Sequence, residues 1–130
     1  MKRIVKVVLS VCLVSAFCAS VTNAQPRDDR YRSFGRESLD RVRGDLGRAE
    51  RNLRYISEPE MRRFREIRDR LGNFQRNWER GRYDRGDLDA TVGNLSTLVE
   101  RAKLHRADRD ILADDLSRLR DLRARMDRRL

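Results

Sequence analysis

The chain has 130 residues, with 31 lysines and arginines against 21 acidic residues, so its formal net charge is +10 at pH 7. This length favours one small domain. A single histidine and two cysteines leave little material for nucleophilic catalysis or for a closed metal site, so the composition argues against an enzyme.

Residues 1–24 have the three-part pattern of a cleavable signal peptide. The first six residues carry three positive charges and no acid, an apolar stretch follows up to Val21, and small residues precede a predicted cleavage after Ala24. The competing interpretation is a permanent membrane anchor, but the apolar run is short for a span of ~20 residues. The sequence therefore predicts a periplasmic or secreted protein with no transmembrane anchor after cleavage. Both cysteines, Cys12 and Cys18, lie in the leader, so the mature chain cannot form a disulfide.

Residues 25–36 show no apolar periodicity and are predicted to be a flexible N-terminal arm. Arg30 and Arg32 alternate there with aromatic residues, and Arg36 ends the segment. Interleaved basic and aromatic side chains can stack on bases or lie at a lipid headgroup surface. A disordered tether is the alternative interpretation.

Residues 37–130 are predicted to form a helical bundle domain. Apolar residues recur at spacings of three and four in four successive segments, which is typical of helices with one buried face. The four stripes are Leu39, Val42, Leu46, Ala49, Leu53 and Ile56; Met61, Phe64, Ile67, Leu71, Phe74 and Trp78; Leu88, Val92, Leu95, Val99 and Ala102; and Ile111, Leu112, Leu116, Leu119, Leu122 and Met126.

Local signals separate the four helical segments. Ser57 and Glu60 form a capping box, and Pro59 between them suits the first turn of a helix. Asp87 and Asp108 are the predicted N-caps of the third and fourth helices. Short connections favour antiparallel neighbours, so the predicted fold class is all-α, an antiparallel up-down four-helix bundle. A faint internal repeat leaves open whether the two halves are related helical hairpins.

His105 follows the third stripe, close to the end of the predicted third helix. In an up-down bundle this position lies beside the start of the second helix, where Met61 begins its stripe. A histidine and a methionine at one end of an exported bundle resemble the ligand pair of b-type cytochrome bundles, and the resemblance implies haem ligation by His105 and Met61. That family, however, places its ligands on the first and last helices. The alternative is a histidine that interacts favourably with a helix dipole, and no cofactor or metal ion is predicted.

Arginine supplies nearly all of the positive charge, because Lys103 is the only lysine after the leader. Arginine binds phosphate and carboxylate through a planar fork, so an anionic partner is one interpretation. Codon usage in a GC-rich genome is the other. The positive excess is larger in residues 25–81 than in the rest of the mature chain. The residues predicted to bind an anion are Arg30, Arg32, Arg36, Arg62 and Arg63.

No Gly-rich phosphate loop or nucleophile elbow is present, so the predicted function is non-enzymatic. Small helical envelope proteins include the Spy/CpxP-type periplasmic chaperones, but residues 95–98 do not match their Leu-Thr-x-x-Gln motif. We expect an exported protein of the bacterial cell envelope that acts by protein–protein interaction or chaperone-like binding, either as a monomer or as a homo-oligomer. The alternatives are binding of an anionic envelope polymer or lipid through the arm and first hairpin, and a b-type haem-binding bundle. Nucleic acid is not expected as a partner, because export removes the chain from the cytoplasm.

Overall fold

A computed structural model describes residues 25–128, and every regular element in that range is an α-helix. The predicted signal peptide, residues 1–24, lies outside the described residues. No helix within the described range is long and apolar enough to cross a membrane. The four helices are α1 (Gln25–Asn52), α2 (Glu58–Glu79), α3 (Arg85–Arg101) and α4 (Arg106–Asp127).

Each helix packs against two of the others. Helix α1 packs beside α2 and α4, and α3 packs beside the same two helices, whereas within residues 25–128 the backbone of α1 does not closely approach that of α3, nor that of α2 the backbone of α4. Along the interface between α1 and α2, the position in α2 falls as the position in α1 rises: Arg43 bonds to Gln75, whereas the later residue Glu50 bonds to the earlier residue Arg68. The four helices therefore surround one common core.

The core contains one apolar stripe from each helix, as the spacing predicts, but in α3 Leu98 is buried in place of Val99, and Leu53 and Ile56 lie in the connection after α1. Its largest fully buried side chains include Phe64 and Phe74 of α2. Burial of a large apolar side chain stabilises a fold by roughly 1.5–3 kcal/mol, so these stripes are the main source of stability. The other fully buried large side chains are Leu39, Leu46, Ile67, Leu71, Leu88, Leu95, Leu98, Leu112, Leu119 and Leu122.

Helix α2 starts at the capping box that the sequence predicts. The hydroxyl of Ser57 accepts a hydrogen bond from the Glu60 backbone N–H at 3.4 Å, and the Glu60 carboxylate accepts one from the Ser57 backbone N–H at 3.0 Å. The Ser57 backbone N–H is the largest cause of a lowered Glu60 pKa. The start of α2 is thus fixed by its own first residues, and residues 53–57 connect it to the end of α1 at Asn52.

The predicted N-caps Asp87 and Asp108 are wrong. Asp84 caps α3, with its carboxylate accepting from the Asp87 backbone N–H at 3.1 Å, and His105 occupies the N-cap position of α4 without a side-chain capping bond. Both aspartates are instead buried, and each accepts hydrogen bonds from a side chain of another helix. Asp87 accepts from Arg70 of α2, and Asp108 accepts twice from the Asn52 side-chain amide.

Helix α1 begins at Gln25, so residues 25–36 are helical where the sequence predicts a flexible arm. Phe34 and Gly35 in the early turns of α1 contact the rest of the bundle, although this part of the sequence has no apolar periodicity. The guanidinium carbon of Arg125 lies 5.1 Å from the centre of the Phe34 ring, and Gly35 is buried against the indole of Trp78. A glycine gives no hydrophobic signal, and this close contact is therefore invisible in the apolar pattern.

Gly35→Ala is expected to lower the free energy of unfolding by about 1–3 kcal/mol. A Cβ atom at this position would lie 2.7 Å from Cζ2 of Trp78, whose ring packs edge-on against Phe74. Gly44→Ala in the same helix is the matched control. Nothing lies within 4 Å of its Cβ position, so this change should raise the free energy of unfolding by up to about 1 kcal/mol. Urea unfolding followed by circular dichroism measures both, and stabilisation by Gly35→Ala would contradict the packing of α1 on Trp78.

Candidate anion-binding site

Three arginines that the sequence pattern did not indicate converge between α1 and α2. Arg43 comes from α1, whereas Arg68 and Arg76 come from α2, and the open cleft between them has a volume of about 550 Å³. Gly72 leaves space for two of these cations. A Cβ atom there would lie 3.5 Å from a terminal nitrogen of Arg76 and 3.9 Å from one of Arg43. The cleft is lined by Arg43, Arg68, Asp69, Gly72, Asn73 and Arg76.

Two of the three guanidinium groups have neutral partners. Arg43 donates to the amide oxygen of Gln75 at 2.8 Å, and Arg76 donates to the amide oxygen of Asn73. Among the described residues, Arg68 is the one of the three that forms an ion pair with an acid, the partly exposed Glu50. Charge-assisted hydrogen bonds to guanidinium are stronger than those between neutral groups. The cleft can therefore hold an anion such as a phosphate or carboxylate group between Arg43 and Arg76.

A second, smaller cleft of about 60 Å³ lies between the same two helices. Gln75 connects the two clefts, because its side chain bonds to Arg43 and also lines the smaller cleft. We call the two clefts together the arginine groove. The smaller cleft is lined by Arg32, Arg36, Leu39, Gln75, Trp78 and Glu79.

The five arginines predicted to bind an anion lie in different parts of the structure. Arg32 and Arg36 lie in the arginine groove. Arg62 and Arg63 are in the early turns of α2, which follow the end of α1, and Arg62 pairs with the exposed Glu58 at 3.6 Å. The start of α2 lies beside the end of α1, so these two arginines are at the far end of the hairpin from Arg36. Arg30 is exposed near the start of α1 and is not among the residues lining either cleft.

His105 and Met61 do not form a pair in the core. The prediction that His105 continues the third stripe is wrong, because α3 ends at Arg101 and the chain turns so that Leu104 is buried while His105 is exposed. The sulfur of Met61 accepts a hydrogen bond from Arg65 at 3.0 Å. No group of three or more potential metal ligands occurs among the described residues.

A pair of buried carboxyl groups lies between α1 and α4. The exposed fraction is 0% for Asp115 and 7% for Asp45, and neither oxygen of Asp115 has a hydrogen-bond donor in the described part of the chain. The Nε atom of Arg41 lies 3.8 Å from Asp115 Oδ1 and 3.7 Å from Asp45 Oδ2. Burial, and then the charge and hydrogen bonding of Asp45, raise the pKa of Asp115 to about 7, and Arg41 opposes this rise. A proton on Asp115 lets its carboxyl group donate to Asp45.

Comparison of the chain with protein-family models, curated proteins and solved structures found no match. The chemistry of the arginine groove and of the carboxyl pair is therefore inferred from their residues and geometry. The groove has charged donors that solvent reaches. The carboxyl pair is enclosed by two helices, so its effect is on the stability of the fold.

Asp115→Asn is expected to change how stability depends on pH. The folded chain holds a proton on Asp115 up to about pH 7, whereas the unfolded chain loses it near the ordinary value of 3.8. This group therefore lowers the stability of the wild type as pH rises from about 4 to about 7. Asparagine cannot ionise, so the stability of the variant relative to the wild type should increase by about 1–4 kcal/mol over this range.

Urea unfolding at several pH values measures this difference. Asp114→Asn is the matched control, because the Asp114 side chain is 53% exposed and pairs with Arg118 on the surface; although it also lies 3.8 Å from Arg41, its charge contributes less to the raised pKa of Asp115 than burial and Asp45 do. We expect its stability relative to the wild type to change by less than about 1 kcal/mol over the same pH range. The same pH dependence for Asp115→Asn and Asp114→Asn would contradict a buried, protonated Asp115.

Proposed function

We propose that this protein is an exported, non-enzymatic binding protein of the bacterial cell envelope, and that its arginine groove binds an anionic envelope component. The observation that carries this proposal is the convergence of Arg43 and Arg76 over Gly72, where neither guanidinium forms an ion pair with an acid among the described residues. Guanidinium groups stay charged at physiological pH, so they hold anions but do not exchange protons with them. The chemistry of the groove therefore suits binding.

Export is supported by the sequence pattern of residues 1–24. In this proposal the leader is removed after Ala24 and the rest of the chain functions in the periplasm or outside the cell. Mass spectrometry of the protein recovered from the periplasm or the medium tests this part, and its first residue should be Gln25. A chain that stays in the cytoplasm with residues 1–24 attached would contradict it.

We also propose that the four helices form an antiparallel up-down bundle. Ion pairs between consecutive helices support this topology. Early α3 meets late α4 where Arg123 binds Asp89 at 2.9 Å, and the second half of α2 approaches early α3 where Arg70 binds Asp87 at 3.0 Å. In this topology the arginine groove runs along the outer face of the first helical hairpin.

A second candidate function is interaction with another protein, including chaperone-like binding. Its support is Tyr55 in the α1–α2 connection, which is 91% exposed and is the one exposed large hydrophobic residue of the described chain. Binding sites for unfolded or partner proteins normally present a contiguous apolar patch. A single tyrosine is a small apolar surface, so the geometry favours anion binding in the groove.

The double substitution Arg43→Gln with Arg76→Gln is expected to weaken binding of inorganic pyrophosphate by on the order of tenfold or more, since each hydrogen bond to a charged group is worth about 1.5–3 kcal/mol. Isothermal titration calorimetry at an ionic strength of about 0.1 M measures the change. Glutamine keeps a long side chain and a good helix propensity, so circular dichroism should show an unchanged fold.

The matched control is Arg62→Gln with Arg63→Gln, which removes the same charge at the far end of the hairpin. Its affinity for pyrophosphate should stay within about threefold of the wild type, because exposed charges beyond a Debye length of ~10 Å are screened. Equal losses in the two double variants would show attraction by net charge alone. That result would contradict a site in the arginine groove.

A further inference from the structure

The arginine groove contains two clusters of cations. Arg36 and Arg43 are seven residues apart on one face of α1, which places them about 10 Å apart along the helix axis. Arg36 lines the smaller cleft and Arg43 lines the larger one. One small anion fits one cluster at a time, whereas a chain with anionic groups about 10 Å apart binds both clusters at once.

Acidic and amide side chains lie among these cations. Asp69 and Asn73 line the larger cleft, and Glu79 lines the smaller one. Between them, the amide nitrogen of Gln75 lies 3.4 Å from Oδ1 of Asp40. A polyanion without hydrogen-bond donors is repelled by these carboxylates, whereas hydroxyl groups donate hydrogen bonds to them. The side chains of the groove therefore match a ligand in which anionic groups alternate with hydroxyl groups.

Trp78 adds an apolar surface to the smaller cleft. Its indole is partly buried, packs edge-on against Phe74 at a centroid distance of 5.4 Å, and lines the cleft beside Arg36. An aromatic side chain here can pack against the C–H groups of a ring while Arg36 binds its anionic substituent. Sugar rings that carry a carboxylate have this combination of groups.

We propose that the ligand of the arginine groove is a linear acidic polysaccharide that spans both clefts. This inference rests on the proposed function and names the chemical class of its ligand. The carboxylates of the chain bind Arg36 in one cleft and Arg43 with Arg76 in the other. Hydroxyl groups of the chain donate to Glu79, between these two positions, and to Asp69, which lies beyond Arg43 along the groove. Once one carboxylate is bound, the covalent chain holds the next carboxylates close to the second cleft. Binding there is then intramolecular, so the affinity increases with chain length.

Two other partners fit the groove less well. An acidic peptide gains most of its affinity from apolar or aromatic side chains in fully enclosed pockets, but charged and amide side chains and Gly72 line the larger cleft. An anionic bilayer presents a broad surface, and headgroups held in that surface do not follow a groove between two helices. Both partners are included as outcomes of the experiment.

Trp78 is the only tryptophan in the chain, so its fluorescence reports directly on the groove. The probes are galacturonic acid, oligogalacturonates of two to eight units, polyphosphates of matched charge, poly-glutamate, and vesicles of mixed zwitterionic and anionic phospholipid. We expect the affinity per galacturonate unit to rise by on the order of tenfold or more once the oligomer spans both clefts. We also expect oligogalacturonates to bind more tightly than polyphosphates of equal charge.

Asp69→Asn tests the role of the hydroxyl groups. Asparagine still accepts a hydrogen bond from a hydroxyl group but does not repel an anion. The affinity of the variant for oligogalacturonates should stay within about twofold of that of the wild type. Its affinity for polyphosphate should rise several-fold, because the removed charge no longer repels the phosphates and such Coulomb energies are modest near a protein surface. Asp110→Asn, an exposed acid on α4, is the control and should change neither affinity.

The outcomes separate this inference from the proposed function. If the monomer and the oligomers bind with equal affinity per galacturonate unit, the inference that one chain spans both clefts is wrong. If that binding still depends on Arg43 and Arg76, the proposed function stands. If polyphosphate, poly-glutamate or the vesicles bind more tightly than the oligogalacturonates, the inference that the ligand is an acidic polysaccharide is wrong. If no probe binds in a way that depends on Arg43 and Arg76, both the inference and the proposed function are wrong.

Discussion

Burial of four apolar stripes in one core is the constraint on which the other features depend, because no single helix can bury its own stripe. The sequence has no cysteine after Cys18, so no disulfide can replace this packing. The core also fixes the rotation of each helix about its axis. Three groove arginines precede a buried leucine by three residues: Arg36 precedes Leu39, Arg43 precedes Leu46, and Arg68 precedes Leu71. Since residues three apart lie side by side on a helix, burial of these leucines places the arginines along the edge of the α1–α2 interface. Core packing thereby builds the arginine groove.

The helices could be predicted because their signals are local. Spacing identifies the four stripes, and Ser57 with Glu60 identifies the start of α2. The caps of α3 and α4 could not be predicted, because an aspartate near a helix start can either cap it or bind another helix. Asp87 and Asp108 do the second, through Arg70 and Asn52. The helical start of α1 depends on contacts of Phe34 and Gly35 with distant residues, which no local pattern contains.

The candidate site was only partly predictable for the same reason. Composition indicated Arg32 and Arg36, but it could not separate them from Arg62 and Arg63, because their separation depends on how α1 pairs with α2. A signal for the buried carboxyl pair was present. Asp115 lies three residues after Leu112 and four before Leu119, and Asp45 lies three after Val42 and four before Ala49, so both acids occupy the apolar faces of their helices. A charged residue at such a position predicts either a buried partner or a shifted pKa.

The central claim is that anions bind in the arginine groove and are not attracted merely by the positive charge of the whole surface. NMR of the arginine Nε–Hε groups during titration with oligogalacturonate tests it most directly, because each arginine gives its own signal. The signals of Arg36, Arg43 and Arg76 should shift first and furthest, and they should saturate together at one ligand concentration. Shifts of similar size at arginines over the whole surface, or largest shifts at Arg62 and Arg63, would contradict a site between α1 and α2.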